Sequence, residues 1–245
     1  MSNLNIICVL WQGKFRGRDY TVQDVSRLYR MACKWTKQPF DFTCLTNVSY
    51  LEFEPLMESA RQVEKPADHI ILSKLNFNLP GWWSKLELFR KNLLNGRSLY
   101  LDLDSIVCGN LDEVFDYPGS LVFASPIPLN GNKGSLSIHT GNSQHLTRDG
   151  LVVTRFQSSI IVWDANSFIL DYDTIENGIK PYRGDQDFLG EYVKDAEILP
   201  QLWMDKLKHC MKTGPGPETK VILGHPKDLY RAALANPPEW MKGLI

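Results

Sequence analysis

The sequence predicts an α/β fold, a sheet flanked by helices in a single domain over residues 1–245. Three observations carry that expectation. Apolar runs of strand length alternate with helical segments through the N-terminal half. The connections between them are short, as in βαβ units. A chain of 245 residues with 43% hydrophobic side chains can bury one substantial core.

Taken in order, "NIICVLW" (residues 5–11) reads as a first strand and "QGKFRGRD" as the loop after it. Thr21 with Asp24 three residues on is a capping-box start to a helix. Val22, Val25, Leu28, Tyr29, Ala32 and Trp35 recur at helical spacing and give that helix one apolar face. "FDFTCLTN" follows as a second strand, which makes the unit a parallel pair with a right-handed crossover. "HIILS" reads as a third strand, "WWSKLELFRKNLL" as a helix ended by Asn95-Gly96, and "RSLYLDLD" as a buried strand.

The second half is less regular. "SLVFAS", "LVVTRF" and "SSIIVW" are strand-like, and "GDQDFLGEYV" reads as a short helix with acidic residues at its positive end. Residues 126–150 form a polar stretch rich in Gly, Asn and Ser, a length of loop that is usually functional or mobile. No internal repeat is present, and "KTGPGPETK" and "ANPPEW" punctuate the tail without marking a second domain.

Composition excludes several functions. The formal charge is −1 with no long basic or acidic block, so neither a nucleic-acid arm nor a polybasic membrane patch is expected. An anionic ligand must instead be held by a few placed groups. "IICVLW" is too short for a signal peptide's apolar region, and no stretch approaches the roughly 18 apolar residues of a membrane span. The expectation is a soluble protein, or at most a peripheral one. The five cysteines (Cys8, Cys33, Cys44, Cys108, Cys210) are odd in number, widely spaced and without C-x-x-C, which suits small core residues in a reducing cytoplasm.

The chemistry concentrates in "SLYLDLDSIVCGNLDEVF", residues 98–115. Asp102 and Asp104, alternate positions at a strand's C-terminal end, are expected to share one face, where α/β sheets bind ligands. Three readings compete. The pair could cap a turn and meet a neighbouring cation, although burying unpaired carboxylates behind "SLYL" costs several kcal/mol. "LYLDLDSIV" also resembles the nucleophile strand of haloacid-dehalogenase phosphatases, with Asp102 attacking phosphorus and Asp104 as acid/base. That strand ordinarily opens its fold, whereas a complete βαβ unit and another strand precede it here. Finally, the two carboxylates could supply hard oxygen ligands to a divalent cation that bridges a nucleotide diphosphate to the protein.

The neighbouring motifs favour the last reading. "GWWSKLELF", "GNLDEVFDYPG" and "GDQDFLGEYV" occur in the order seen in glycosyltransferases of the GT-A fold. From "IICVLWQGK" to about "GHPKDL" the chain resembles the group related to glycosyltransferase family 8, the glycogenin and lipopolysaccharide galactosyltransferase type, and especially small bacterial glycosyltransferases with "LYLDLD". The resemblance implies a Rossmann-like mixed sheet flanked by helices. It also implies an enzyme that moves a sugar from a nucleoside diphosphate sugar, UDP-linked, to a carbohydrate or glycolipid acceptor with retained configuration.

Carried over by position, Asp102 and Asp104 are expected to hold Mn2+, with Mg2+ equally suited to oxygen ligands, and His225 of "VILGHPKDL" to complete the set. Aligning the Pro-Lys pair places the family's histidine at Leu223, two residues earlier. Leu10, Trp11, Gln12 and Lys14 would face the base and ribose, Lys85 and Lys227 the phosphates, and Leu103 the donor between the two aspartates. A solvated helix lysine is the alternative for Lys85. Asp185, Gln186 and Asp187 would meet the sugar hydroxyls and the reacting centre. Gln157 stands where relatives carry Asn, and Trp82 and Trp83 could each stack on a sugar or join the core. A non-catalytic sugar-nucleotide-binding module stays open beside the transferase.

Overall fold

A computed structural model of the chain describes residues 4–14, 20–60, 70–77, 79–125, 156–182 and 184–245. The expected polar stretch 126–150 and most of "LVVTRF" lie outside the described residues. Strand β1 (Leu4–Leu10), helix α1 (Val22–Trp35) and strand β2 (Phe40–Thr46) form the expected βαβ unit, with β1 and β2 parallel from Leu4↔Phe40 to Leu10↔Thr46. Helix α2 (Tyr50–Ala60) then leads to β3 (Ile70–Lys74), which adds in parallel beside β2. A 3-10 segment, Gly81–Phe89, precedes β4 (Arg97–Leu101), parallel to β1 on its other side.

The remaining elements turn the sheet mixed. Strand β5 (Ser105–Val107) and helix α3 (Asp112–Phe115) are followed by β6 (Leu121–Ala124) and by β7 (Gln157–Asp164), which runs antiparallel to both β4 and β6. Helices α4 (Tyr172–Gly178) and α5 (Asp185–Tyr192) lead to β8 (Glu197–Ile198), β9 (Met204–Lys206), α6 (Leu207–Cys210), β10 (Val221–Leu223) and α7 (Lys227–Ala235). Among the described residues the main sheet has the order β3-β2-β1-β4-β7-β6-β8, and β5-β10-β9 form a smaller one. No described helix is long and apolar enough to cross a membrane.

Alternation along β1 divides the core. Ile6, Cys8 and Leu10 pack with Val25, Leu28, Tyr29 and Ala32 of α1 on one face. Ile7 faces the other cluster, with Leu86, Phe89, Tyr100 and Phe188. A strand buried on both faces suits the centre of a parallel sheet, which is why "NIICVLW" reads as a continuous apolar run. Cys8, Cys33, Cys44 and Cys210 are buried, and all five cysteines are free thiols.

Two expectations are corrected. The helix read over "WWSKLELFRKNLL" is a 3-10 segment that ends at Phe89, and Asn92 and Gly96 then take positive φ values of 58° and 82°. Every residue from Trp83 to Phe89 is buried, so this segment has no solvent face for an amphipathic α-helix to present. Glu87 is fixed by the backbone N–H groups of Asn76 and Phe77, at 2.6 and 2.9 Å, and by Arg90 at 3.1 Å. The strand "RSLYLDLD" ends at Leu101. Asp102 begins a turn, closed by the Ser105 N–H donating to the Asp102 carbonyl at 2.9 Å, and β5 then leaves for the smaller sheet. The two carboxylates therefore meet through a turn and not through strand pleating.

Helices α1 and α7 are joined to one another at Asp24. Its carboxylate accepts the Thr21 N–H at 2.9 Å, the reciprocal half of the expected capping box. It also takes a two-pronged contact from Arg231, at 2.7 and 2.6 Å, and one from Arg27 at 2.7 Å. Burial opposes ionisation of this fully buried side chain, but the bonds from Arg231, Thr21 and Arg27 outweigh it and hold the pKa below the ordinary 3.8. A depressed carboxylate contributes stability above its unfolded pKa of about 4 and loses it as pH falls through the lower folded value. Asp24→Asn should cost about 1–3 kcal/mol, allowing for the partly solvated arginine, and should flatten the loss of urea stability between about pH 5 and pH 3. Equilibrium urea unfolding of both proteins across that range checks it.

Candidate active site

The strand order reverses between β1 and β4, and at such a switch point the loops leaving the C-terminal strand ends part to form a crevice. A cavity of about 400 Å³ lies there. Val9 and Trp11 at the end of β1 line it, as do Asp102, Leu103 and Asp104 in the turn after β4. Because β7 is antiparallel, its first residues, Gln157 to Ser159, reach the same edge. The start of α5 contributes Asp185 and Gln186, and the region from β9 to α7 contributes Lys206, Leu223, His225 and Lys227.

One wall is acidic and held together by Lys85. Its ammonium lies 3.1 Å from Asp102 Oδ1 and 3.2 Å from Asp185 Oδ2, with the Ser158 carbonyl at 3.3 Å. The Ser158 hydroxyl donates to the same Asp185 oxygen at 2.6 Å, and the Tyr100 hydroxyl to Asp102 Oδ1 at 2.5 Å. Burial favours a neutral Lys85, but the charges of Asp102 and Asp185 more than offset it and push the pKa up, so the ammonium stays charged. Burial and the Asp102 charge also raise the Tyr100 pKa, which keeps its hydroxyl a donor.

Asp104 differs from its partner. Burial, and then the charge of Asp102, push its carboxyl up to about 6, against the lowering pull of the Tyr20 hydroxyl and Lys85. Tyr20 donates to Asp104 Oδ2 at 2.9 Å. Asp102 and Asp185 share the Lys85 ammonium, and Asp104 lines the same cavity with its pKa raised in part by the charge of Asp102, a repulsion that a bound cation would relieve. Lys206, His225 and Lys227 line the same cavity and suit an anion.

The donor chemistry of Asp102 and Asp104 fits the hard-oxygen part of a divalent-cation site. His225 borders the same cavity, yet among the described residues no set of three or more His, Cys, Asp or Glu side chains is gathered as metal ligands would be. All three residues expected as ligands, Asp102, Asp104 and His225, line this one cavity. The turn is pinned to the segment carrying that histidine: the Gly224 N–H donates to the Asp104 carbonyl at 3.0 Å, and the Tyr230 hydroxyl to the Leu103 carbonyl at 3.3 Å.

Of the other expected residues, Trp11, Lys85, Leu103, Asp185, Gln186 and Lys227 line the cavity. Leu10 is fully buried in the core, so its side chain has no face for a base. Gln12 does not line the cavity; its backbone exchanges hydrogen bonds with Asn47 at 2.9 and 2.8 Å, and its amide donates to the Tyr20 carbonyl at 3.3 Å. Lys14 is exposed away from the cavity lining, and Asp187 stands off it on α5. Trp82 lines the cavity, whereas Trp83 joins the core against Phe188.

Tyr20, Tyr100, Ser158 and Lys206 were not anticipated. Tyr100 was legible, since it lies two residues before Asp102 in a strand whose period is two. Ser158 and Lys206 carried no local signal, because one starts an antiparallel strand after a long insertion and the other ends a strand of three residues.

Gly224 marks the tightest approach in the site. A Cβ there would lie 2.4 Å from the Asp104 carbonyl oxygen and 2.8 Å from the Tyr230 ring. Gly224→Ala must push the aspartate turn away, at a cost of about 1–3 kcal/mol. Its melting temperature should fall by several degrees, roughly 3–10 °C for a chain of this size, and any divalent-cation stabilisation should weaken with it.

Neither the protein-family models nor the curated protein sequences give a match to this chain. Solved structures do. A galactosyltransferase, LgtC, in complex with donor and acceptor sugar analogues superposes with a TM-score of 0.61 at 12% identity, over 98% of this chain and 100% of that one. The bifunctional glycosyltransferase WbbM gives 0.60 at 15% identity, over 98% of this chain and 51% of that one. Mouse xyloside xylosyltransferase 1 gives 0.58 at 12% identity, over 92% and 98%. The resemblance read from the motifs and the architecture agree, and the chain has the GT-A fold.

Proposed function

We propose that the chain is a metal-dependent glycosyltransferase that moves a hexosyl group from a UDP-sugar to an acceptor hydroxyl, with retained configuration, in glycan or lipopolysaccharide synthesis. The observation that carries this reading is the cavity at the switch point, lined by both carboxylates and basic groups. Asp102, Asp104 and Asp185 share with Lys85, Lys206 and Lys227 a space of about 400 Å³, within the usual size range for small-ligand and cofactor sites. The donor and acceptor sugar analogues bound by the similar galactosyltransferase support a sugar substrate pair.

In this reading Asp102 and Asp104 would hold Mn2+ or Mg2+, which would supply positive charge to offset that of the leaving diphosphate. Lys85 and Tyr100 fix the Asp102 carboxylate by engaging Oδ1. Trp11 offers a stacking face to the nucleobase, and Lys227 offers a point charge to the phosphates. Asp185, held by Lys85 and Ser158, and Gln186 beside it orient sugar hydroxyls. Preorganised groups of this kind cost no rearrangement as charge develops on the leaving diphosphate. The phosphatase reading is less well supported, because Asp102 Oδ1 is already committed to Lys85 and Tyr100 in a turn behind a complete βαβ unit.

A saturating UDP-sugar with Mn2+ should raise the melting temperature by about 5–10 °C, and either alone by much less. Asp102→Asn should abolish the metal-dependent part. Asp185→Asn should retain UDP binding and lose at least about 100-fold in sugar transfer or slow donor hydrolysis. A protein that shifts with no nucleotide sugar, or that cleaves simple phosphate esters through Asp102, would sink the assignment.

A further inference from the structure

Tyr20 immediately precedes the N-cap of α1 and lines the cavity. Its hydroxyl donates to Asp104 Oδ2 at 2.9 Å. Its ring carries the Lys227 ammonium 4.3 Å from the centroid, with the Arg231 guanidinium at 5.8 Å. Lys227 and Arg231 are one helical turn apart on α7, so one face of that helix meets the tyrosine ring. Arg231 is in turn fixed by Asp24, and the Tyr20 carbonyl accepts the Gln12 amide at 3.3 Å. A side chain held at its hydroxyl by Asp104 and at its ring by α7 can transmit a position.

We propose that Tyr20 is a positioning residue for both halves of the ligand site. Its hydroxyl orients the cation-facing Asp104, and its ring seats the phosphate-facing Lys227. One residue thereby sets the spacing between the carboxylate pair and the ammonium that a bridged cation and diphosphate must match. This inference rests on the nucleotide-sugar reading given above. It divides one side chain into two separable contributions, a hydrogen bond to a carboxylate and a cation–π seat.

The test compares Tyr20→Phe, which keeps the ring, with Tyr20→Leu, which removes both contacts. Two quantities are read: the half-saturating Mn2+ for thermal stabilisation at fixed UDP, and the calorimetric affinity for UDP without metal. Tyr20→Phe should raise the half-saturating Mn2+ by about tenfold and leave metal-free UDP affinity within about twofold of wild type. Tyr20→Leu should do the same to Mn2+ and also weaken metal-free UDP by about threefold. That second loss should vanish in a Lys227→Met background. A Phe variant that melts lower but titrates with Mn2+ like wild type overturns the proposal, as does a Leu variant with unchanged metal-free UDP affinity. A wild-type protein that responds to neither probe overturns the glycosyltransferase reading itself, and this inference falls with it.

Discussion

The buried ammonium of Lys85 between Asp102 and Asp185 is the contact around which the site is organised. The carboxylates come from separate parts of the chain, one from the turn after β4 and the other from the start of α5, and each would repel the other without a cation between them. Burying such charges is costly, and the cost is tolerable only when hydrogen bonds complete the arrangement. Ser158 and Tyr100 supply them. The cluster links α5, β7, β4 and the 3-10 segment at one edge of the sheet, so the same contacts that offset the burial also fix the wall of the cavity.

A second constraint acts on the turn. Main-chain bonds from Gly224 and the Tyr230 hydroxyl hold Leu103 and Asp104 against the β10–α7 region. Asp24 then ties α7 to α1 through Arg231. The chain leaves the large sheet at Asp102 and enters the small one at Ser105, so the aspartates sit where two sheets are joined. That placement accounts for the environments of the two carboxyls. Asp102 is paired and partly open, while Asp104 is buried and pushed towards neutrality.

Much of this was legible in the sequence, for physical reasons. The βαβ start was readable because α1 has a capping residue and a consistent apolar face, both confirmed in α1 and its packing. The GT-A resemblance rested on the order of "GWWSKLELF", "GNLDEVFDYPG" and "GDQDFLGEYV", the first and last of which reach the cavity together with the "LYLDLD" aspartates. Failures came where tertiary contacts override periodicity. The segment from Trp83 to Phe89 is buried throughout, so its apolar pattern carried no information on helix type. Helix α2, with Pro55 inside it, gave no amphipathic signal. Strand alternation gave the right partnership for Asp102 and Asp104 by the wrong geometry, since a turn brings them together. Tyr20 escaped notice because its role depends on Asp104, 84 residues away in sequence, and Lys206 because it ends a strand of three residues.

The proposed function requires a cation and a diphosphate in one cavity, between the Asp102–Asp104 turn and Lys227. A crystal structure of the protein with UDP and Mn2+ tests that placement most directly. Manganese is expected within coordination distance of both carboxylates, the diphosphate between that ion and the Lys227 ammonium, and Lys85 still bridging Asp102 and Asp185. Nucleotide bound outside this cavity, or diphosphate held within it while manganese occupies a site remote from both aspartates, would contradict it.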